Sequence, residues 1–143
     1  MKTGPRASVM STASDTVSLT IPRAQEYLPL FNMLLGGIAT RRVLSLEALD
    51  DLQLAVDNVI LEDRGTTGDL SLAVTLLEEA LEIVISPLSD PDLHSTLIEG
   101  SVSTEAADRC LDVCLLLSPL VDRYVVHDLD SGTFALELRK LLR

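Results

Sequence analysis

The sequence predicts an α+β fold, a two-layer sandwich in which helices cover one face of a single mixed or antiparallel sheet. Four stretches alternate apolar and polar residues with the period of two that is typical of half-buried strands. Between them lie stretches whose apolar residues recur at helical spacing. The predicted order is β-α-α-β-β-loop-α-β-β, and one sheet packed against helices would bury all of these apolar positions. The alternating stretches are 17–21, 70–76, 81–85 and 134–138.

The chain has 143 residues, 47% of them apolar and 3% aromatic, so we expect one domain with an aliphatic core. Residues 1–15 are small and polar and read as a disordered lead-in, which leaves 16–143 as the domain. The net charge is −11. Residues 1–42 hold five basic and two acidic side chains, whereas the remainder holds six basic and twenty acidic ones. Such a surface repels nucleic-acid phosphates and suits a partner with a basic face, so we expect no direct nucleic-acid binding.

We expect no membrane span, because no apolar run reaches the roughly 18 residues that a spanning helix needs. Cys110 and Cys114 are one helical turn apart and read as reduced core cysteines of a cytoplasmic protein. The alternative, a metal site, would need further ligands, and neither histidine is close to them in the sequence.

The first half of the chain predicts one strand and two helices. The strand 17–21 ends at Pro22, and a helix follows over about 23–41, in which Pro29 is best tolerated near the start. Ser45 is the predicted N-cap of a second helix, which ends at Gly65.

The second half predicts two hairpins separated by a loop and a helix. An acidic turn at Glu78 and Glu79 joins the strands of the first hairpin. Residues 86–102 contain two prolines and are predicted to be irregular. Ser103 or Thr104 then caps a third helix, and the last hairpin turns at 128–132.

Two strings carry a resemblance to a known family. Residues 44–62 form an acidic, leucine-rich stretch that runs into Leu-Ala-Val-Asp-Asn, and Asp130-Ser131-Gly132-Thr133 opens the last alternating strand. With the order of elements, they resemble the anti-sigma factor serine kinases, which are bacterial partner-switching regulators. The resemblance covers about residues 16–142 and implies the histidine-kinase-like ATPase fold.

The chain departs from that family on the second helix. There the family has a glutamate that acts as general base and, one turn later, an asparagine that helps to hold the Mg²⁺ of ATP. By register these positions are Asn58 and Glu62 here, so the two residue types are exchanged. An amide cannot accept the proton that a base must take. Glu62 could still bind a metal ion, and the alternative is a solvated carboxylate at the helix end.

The family's glycine-rich loops are also depleted. No glycine lies between Gly68 and Gly100, although the family has an Asp-x-Gly-x-Gly loop there whose aspartate reads the adenine amino group. Ser86 and Leu88 occupy positions of that loop, and Asp90 is the candidate to replace its aspartate. Gly100 is what remains of the Gly-x-Gly stretch that should meet the phosphates, and Thr133 matches a late threonine near the adenine.

The resemblance therefore implies a degenerate, pseudokinase-like pocket made of Asn58, Glu62, Asp90, Gly100 and Thr133, with no catalytic residue assigned and no cofactor expected. We expect an anti-sigma-factor-like protein that binds a sigma factor, a STAS-type anti-sigma antagonist or both, and that forms a homodimer. The alternative is an active ATP-dependent serine protein kinase that phosphorylates its antagonist and uses ATP and Mg²⁺. A third interpretation is an α+β binding domain whose likeness to the family is accidental.

Overall fold

A computed structural model of the chain describes residues 15–41, 44–63, 68–102, 117 and 120–142. This part of the chain contains five strands, three α-helices with defined bounds and short 3-10 turns at Gln25–Tyr27 and Asp130–Gly132. In chain order the strands and helices are β1 (Asp15–Pro22), α1 (Pro29–Ala39), α2 (Leu46–Glu62), β2 (Asp69–Leu76), β3 (Ala80–Leu88), α3 (Pro91–Val102), β4 (Arg123–Asp128) and β5 (Phe134–Leu141).

The five strands form one sheet in the order β1-β2-β3-β5-β4, and all four pairings are antiparallel. The predicted α+β class is therefore confirmed, with an antiparallel rather than a mixed sheet. The central strand β3 pairs with β2 through a hairpin and with β5 on its other side. The two-layer arrangement and the histidine-kinase-like ATPase fold, with which this architecture is compatible, stay predictions.

The core joins alternate strand residues to one stripe of each helix. Along β2 every second residue from Leu70 to Leu76 is buried, while those between them are half-buried. Phe31 of α1 and Val56 of α2 belong to the same buried cluster. Apolar residues alternate along the strands because one face of the sheet is buried. Burial of these aliphatic side chains away from water stabilises the folded chain.

Of two predicted helix starts, one is confirmed and the other is wrong. Ser45 caps α2 as predicted, since its Oγ accepts a hydrogen bond from the backbone N–H of Ala48 at 3.0 Å. The first helix begins at Pro29 and not at residue 23, because a start at 23 would place a proline without an N–H in the helix interior. Both predicted hairpins are confirmed, and their turns fall at 77–79 and 129–133.

The prediction that residues 86–102 are irregular is wrong. β3 extends to Leu88, and α3 occupies Pro91–Val102. Pro91 takes the first position of α3, where a missing N–H costs nothing, and Pro87 lies where the pairing of β3 with β5 is irregular. The two prolines therefore mark a strand end and a helix start.

Several predictions lie outside the described residues. They concern the lead-in, the helix stop at Gly65, the helix cap at Ser103 or Thr104, and the two cysteines. Within the described ranges, no helix is both long enough and apolar enough to cross a membrane.

Candidate functional site

The carboxylate of Asp63, the residue that follows α2, is completely enclosed by protein. Its Oδ1 accepts hydrogen bonds from the backbone N–H groups of Ser89 at 2.9 Å and Asp90 at 2.8 Å. Its Oδ2 lies 3.2 Å from Nη1 of Arg23. A buried charge is tolerated when donors surround it in this way. Asp63 thereby fixes the turn between β3 and α3 against the end of α2.

Arg23 completes this buried network from the connection between β1 and α1. Its Nη2 donates a hydrogen bond of 2.6 Å to the backbone oxygen of Pro87. Burial lowers the pKa of the Arg23 guanidinium from its ordinary value, and the negative charge of Asp63 opposes that shift. An arginine keeps its proton under these conditions, so the pair is ionic. Three segments that are distant in the sequence thus meet at one ion pair.

Asp90 acts as the N-cap of α3. Its Oδ1 accepts hydrogen bonds from the backbone N–H groups of Asp92 at 2.9 Å and Leu93 at 3.1 Å. These are two of the four N–H groups that a helix start leaves without an intrahelical partner. The carboxylate predicted to replace the family's adenine reader is therefore bonded to its own helix.

A groove of about 450 Å³ lies between the first turns of α3 and the turn that joins β4 to β5. Nε2 of His94 and Oδ1 of Asp128 are 2.7 Å apart across it. The rings of His94 and Phe134 meet in a T-shaped arrangement, with their centroids 4.9 Å apart. The hydroxyl of Thr133 donates a hydrogen bond of 2.7 Å to the backbone oxygen of Asp130 and so holds the turn. The groove offers an aromatic wall and polar edges to a small ligand.

The structure brings together only some of the predicted site residues. Thr133 lines the groove, as do the two neighbours of Asp90 in the sequence. Asn58 and Glu62 are half-buried, one turn apart on α2, and neither lines the groove. Gly100 lies in the last turn of α3. Among the described residues, no group of three or more potential ligands could hold a metal ion.

Beside Asn58, a second polar contact joins α1 to α2. Asp57 accepts a hydrogen bond from the Asn32 side chain, and the backbone oxygen of Asn32 accepts one from Nε2 of Gln53 at 3.1 Å. Burial raises the pKa of Asp57 above its ordinary value, and the hydrogen bond from Asn32 opposes that shift. Oδ1 of Asn32 is buried and has no hydrogen-bond partner within the described residues.

Sequence reasoning missed Arg23 and Asp63. Each follows a regular element directly, Arg23 after β1 and Asp63 after α2, which is an ordinary place for a charged surface residue. No spacing pattern links the two positions, since they are 40 residues apart in the sequence. The available signal was weak: each charge directly follows a regular element that carries an apolar face.

The chain is similar to several serine-protein kinases named RsbW. It is 32% identical over 83 residues to the protein of Listeria monocytogenes serotype 4a, covering 54% of this chain and 53% of the relative. The Listeria innocua protein gives the same values, and that of Bacillus licheniformis is 27% identical over 92 residues, or 59% of this chain and 58% of the relative. The chain spans about half the length of the curated relatives it matches. No protein-family model matches it. The similarities confirm the predicted resemblance to the anti-sigma factor serine kinases.

Proposed function

We propose that this chain, a relative of the serine-protein kinases named RsbW, is an anti-sigma-factor-like regulator with lost or weakened ATP binding. It acts in bacterial partner switching by binding a sigma factor, a STAS-type anti-sigma antagonist or both, in the cytoplasm. It forms a homodimer through its sheet or its first helix. The function is that of a binding protein, because binding needs shape and charge and neither depends on a working phosphate site.

The observation that carries this proposal is the turn held by Asp63. In the family this turn is the place of a glycine-rich, adenine-reading loop. Here the N–H groups of Ser89 and Asp90 point to a buried carboxylate, and the Asp90 carboxylate caps a helix. A nucleotide that used these groups would have to break existing hydrogen bonds. Leaving a buried polar group without a partner costs about 1–3 kcal/mol, so several such losses would weaken ATP binding severely.

The second helix also supports the proposal, because it lacks the family's catalytic base. At the family's base position α2 carries Asn58, whose amide has no lone pair basic enough to take a proton from a serine hydroxyl. Phosphoryl transfer depends on a positioned nucleophile and on metal-assisted stabilisation of charge. By register, the two family positions of α2 carry an amide, Asn58, and a carboxylate, Glu62.

Isothermal titration of the folded chain with ATP and Mg²⁺ tests the proposal. We expect no binding in the micromolar range, while the same chain still binds its regulatory partner in a parallel titration. ADP with Mg²⁺ serves as a second ligand, because a site that lacks only γ-phosphate contacts would still take the diphosphate. Micromolar affinity for either nucleotide would refute the loss of ATP binding.

The alternative is an active serine protein kinase, and the names of the relatives favour it. It would need a Mg²⁺-ATP site built from Glu62, Asp90, Gly100 and Thr133, together with a general base that the sequence does not identify. Transfer of labelled phosphate to a candidate antagonist would establish the activity. Loss of transfer in Glu62→Ala, with transfer kept in Glu78→Ala on the exposed β2–β3 turn, would locate the site.

A further inference from the structure

The outer face of α2 exposes two leucines, at a place where a helix of a monomeric domain is usually polar. Leu54 and Leu61 are 48% and 54% exposed. They are seven residues apart, so they lie about 10.5 Å apart along the helix and within about 20° of one another around it. The same geometry places them opposite the buried stripe of α2. These two leucines therefore point away from the core and do not belong to its border.

The helix that carries these leucines is acidic. α2 contains five acidic residues and no basic one. Asp51 is paired with Lys140, with Nζ and Oδ2 3.3 Å apart. Among the described residues, no basic side chain pairs with Glu47 or Asp50, which lie on the exposed side of the helix. The face that consists of Glu47, Asp50, Leu54 and Leu61 is called the acidic-apolar face below.

α1 extends this face on one side. The hydrogen bonds of Asn32 to Gln53 and Asp57 place α1 alongside α2. Met33, the next residue of α1, is 70% exposed. α1 has no charged residue, so it adds apolar surface and leaves the negative charge of the face unchanged. A row of apolar side chains with one acidic border is the form of surface that an amphipathic helix recognises.

We propose that the acidic-apolar face binds a basic amphipathic helix of the protein partner. This inference rests on the proposed function, whose partner it describes. The partner helix would place apolar residues at i, i+3 or i+4, and i+7 over the two leucines, and its lysines or arginines would face the α2 carboxylates. The charge favours this occupant over a second copy of the chain, since two α2 helices face to face would bring like charges together.

A defined peptide tests the binding chemistry. The probe is a fluorescein-labelled 14-residue peptide with leucine at the i, i+3, i+4 and i+7 positions and lysine elsewhere. We expect it to bind the full chain in fluorescence anisotropy and to shift the amide resonances of α2. We expect Leu54→Gln with Leu61→Gln to weaken binding at least tenfold. Leu129→Gln is the matched control, because Leu129 is 47% exposed on the β4–β5 turn, and we expect it to leave the affinity unchanged.

The charge is tested separately. We expect Glu47→Gln with Asp50→Asn to weaken binding and to flatten its dependence on salt. Glu78→Gln with Glu79→Gln removes the same charge from the exposed β2–β3 turn and should have a smaller effect. The same peptide with glutamate in place of lysine should not bind.

With the peptide probes and in sedimentation, three results would overturn the inference. The first is equal affinity of the double leucine variant, and the second is equal binding of the glutamate peptide. The third is a dimer in sedimentation that Leu54→Gln with Leu61→Gln dissociates, because a second copy would then occupy the face. A sigma factor or antagonist that binds both the chain and this variant equally would refute the inference and leave the proposed function standing. Micromolar ATP binding would refute the proposed function and leave the peptide result standing.

Discussion

Arg23 and Asp63 are 40 residues apart in the sequence and form an ion pair whose carboxylate has no contact with solvent. The pair ties the end of β1 to the end of α2, and its remaining hydrogen bonds reach the segment from Pro87 to Asp90. Removing one member of such a pair leaves the other charged and buried, which is more costly than exchanging the whole pair for apolar groups. The pair is therefore the most sensitive polar contact of the described structure.

We predict that Asp63→Asn lowers the free energy of unfolding by about 3 kcal/mol, because it removes the charge that compensates Arg23. Urea unfolding followed by circular dichroism measures the change. Glu62→Gln is the control. Glu62 is the half-exposed neighbour of Asp63, so its substitution should change the free energy of unfolding by less than about 0.5 kcal/mol. Adding Arg23→Met to Asp63→Asn should restore part of the loss. A loss below 1 kcal/mol in the single variant would contradict the prediction.

We predict that Asp57→Asn stabilises the protein at neutral pH. The folded-state pKa of Asp57 is raised, so the stability it contributes is fully present below the unfolded pKa of about 3.9 and is lost as the pH rises through the folded pKa. The asparagine has no charge to desolvate, and its N–H group can donate to the unpartnered Oδ1 of Asn32. A gain of about 0.5–1 kcal/mol is expected, since much of Asp57 still contacts water.

Thermal unfolding of Asp57→Asn at pH 7 and at about pH 3.5 measures this effect. The gain should be present at the higher pH and smaller at the lower one. Asp50→Asn is the control, because Asp50 is exposed on the same helix. A destabilised variant at pH 7 would contradict the prediction.

Asp90→Ala should lower stability by about 1 kcal/mol, because α3 loses the acceptor for two of its first N–H groups. Asp90→Asn should keep most of that stability, as asparagine is also a good N-cap. Hydrogen exchange would show the loss as faster exchange in the first turn of α3. Unchanged exchange there would mean that another group caps the helix.

For α2 the corresponding prediction concerns Ser45. Ser45→Ala should cost about 1 kcal/mol and Ser45→Gly only a few tenths, since glycine leaves the N–H groups accessible to water. Chemical unfolding of both variants measures the difference. Ser18→Ala, on the exposed face of the edge strand β1, should be close to neutral. Equal losses for the alanine and glycine variants would argue against a capping role.

Local patterns predicted most of the fold. The alternation from Leu70 to Leu76 indicated a strand because one face of the sheet is buried, and Ser45 indicated a helix start because its hydroxyl acts on the next turn. α3 was missed because its first residue is a proline and its apolar positions are few. Whether a proline begins a helix or interrupts one depends on the cap before it, here Asp90, which composition does not reveal.

The candidate site was predicted less well, because its contacts link distant segments. Thr133, which the resemblance assigned to the degenerate pocket, lines a groove of the structure. Its role beside a nucleotide stays a prediction. Asn58 and Glu62 were assigned by register to two family positions. Register alone does not identify the residues that lie opposite them in the fold. Asp63 has partners 26, 27 and 40 residues away, so no local pattern could have indicated its role.

The position of β5 has a consequence for how the sheet is assembled during synthesis. β4 leaves the ribosome before β5, yet in the described sheet it joins the other strands only through β5. β4 therefore has no edge to pair with until the strand that separates it from β3 has been made. The hairpin of β2 and β3, by contrast, can close as soon as residue 88 has emerged. We infer that the nascent chain carries an unfinished edge on β3 until β5 has been made.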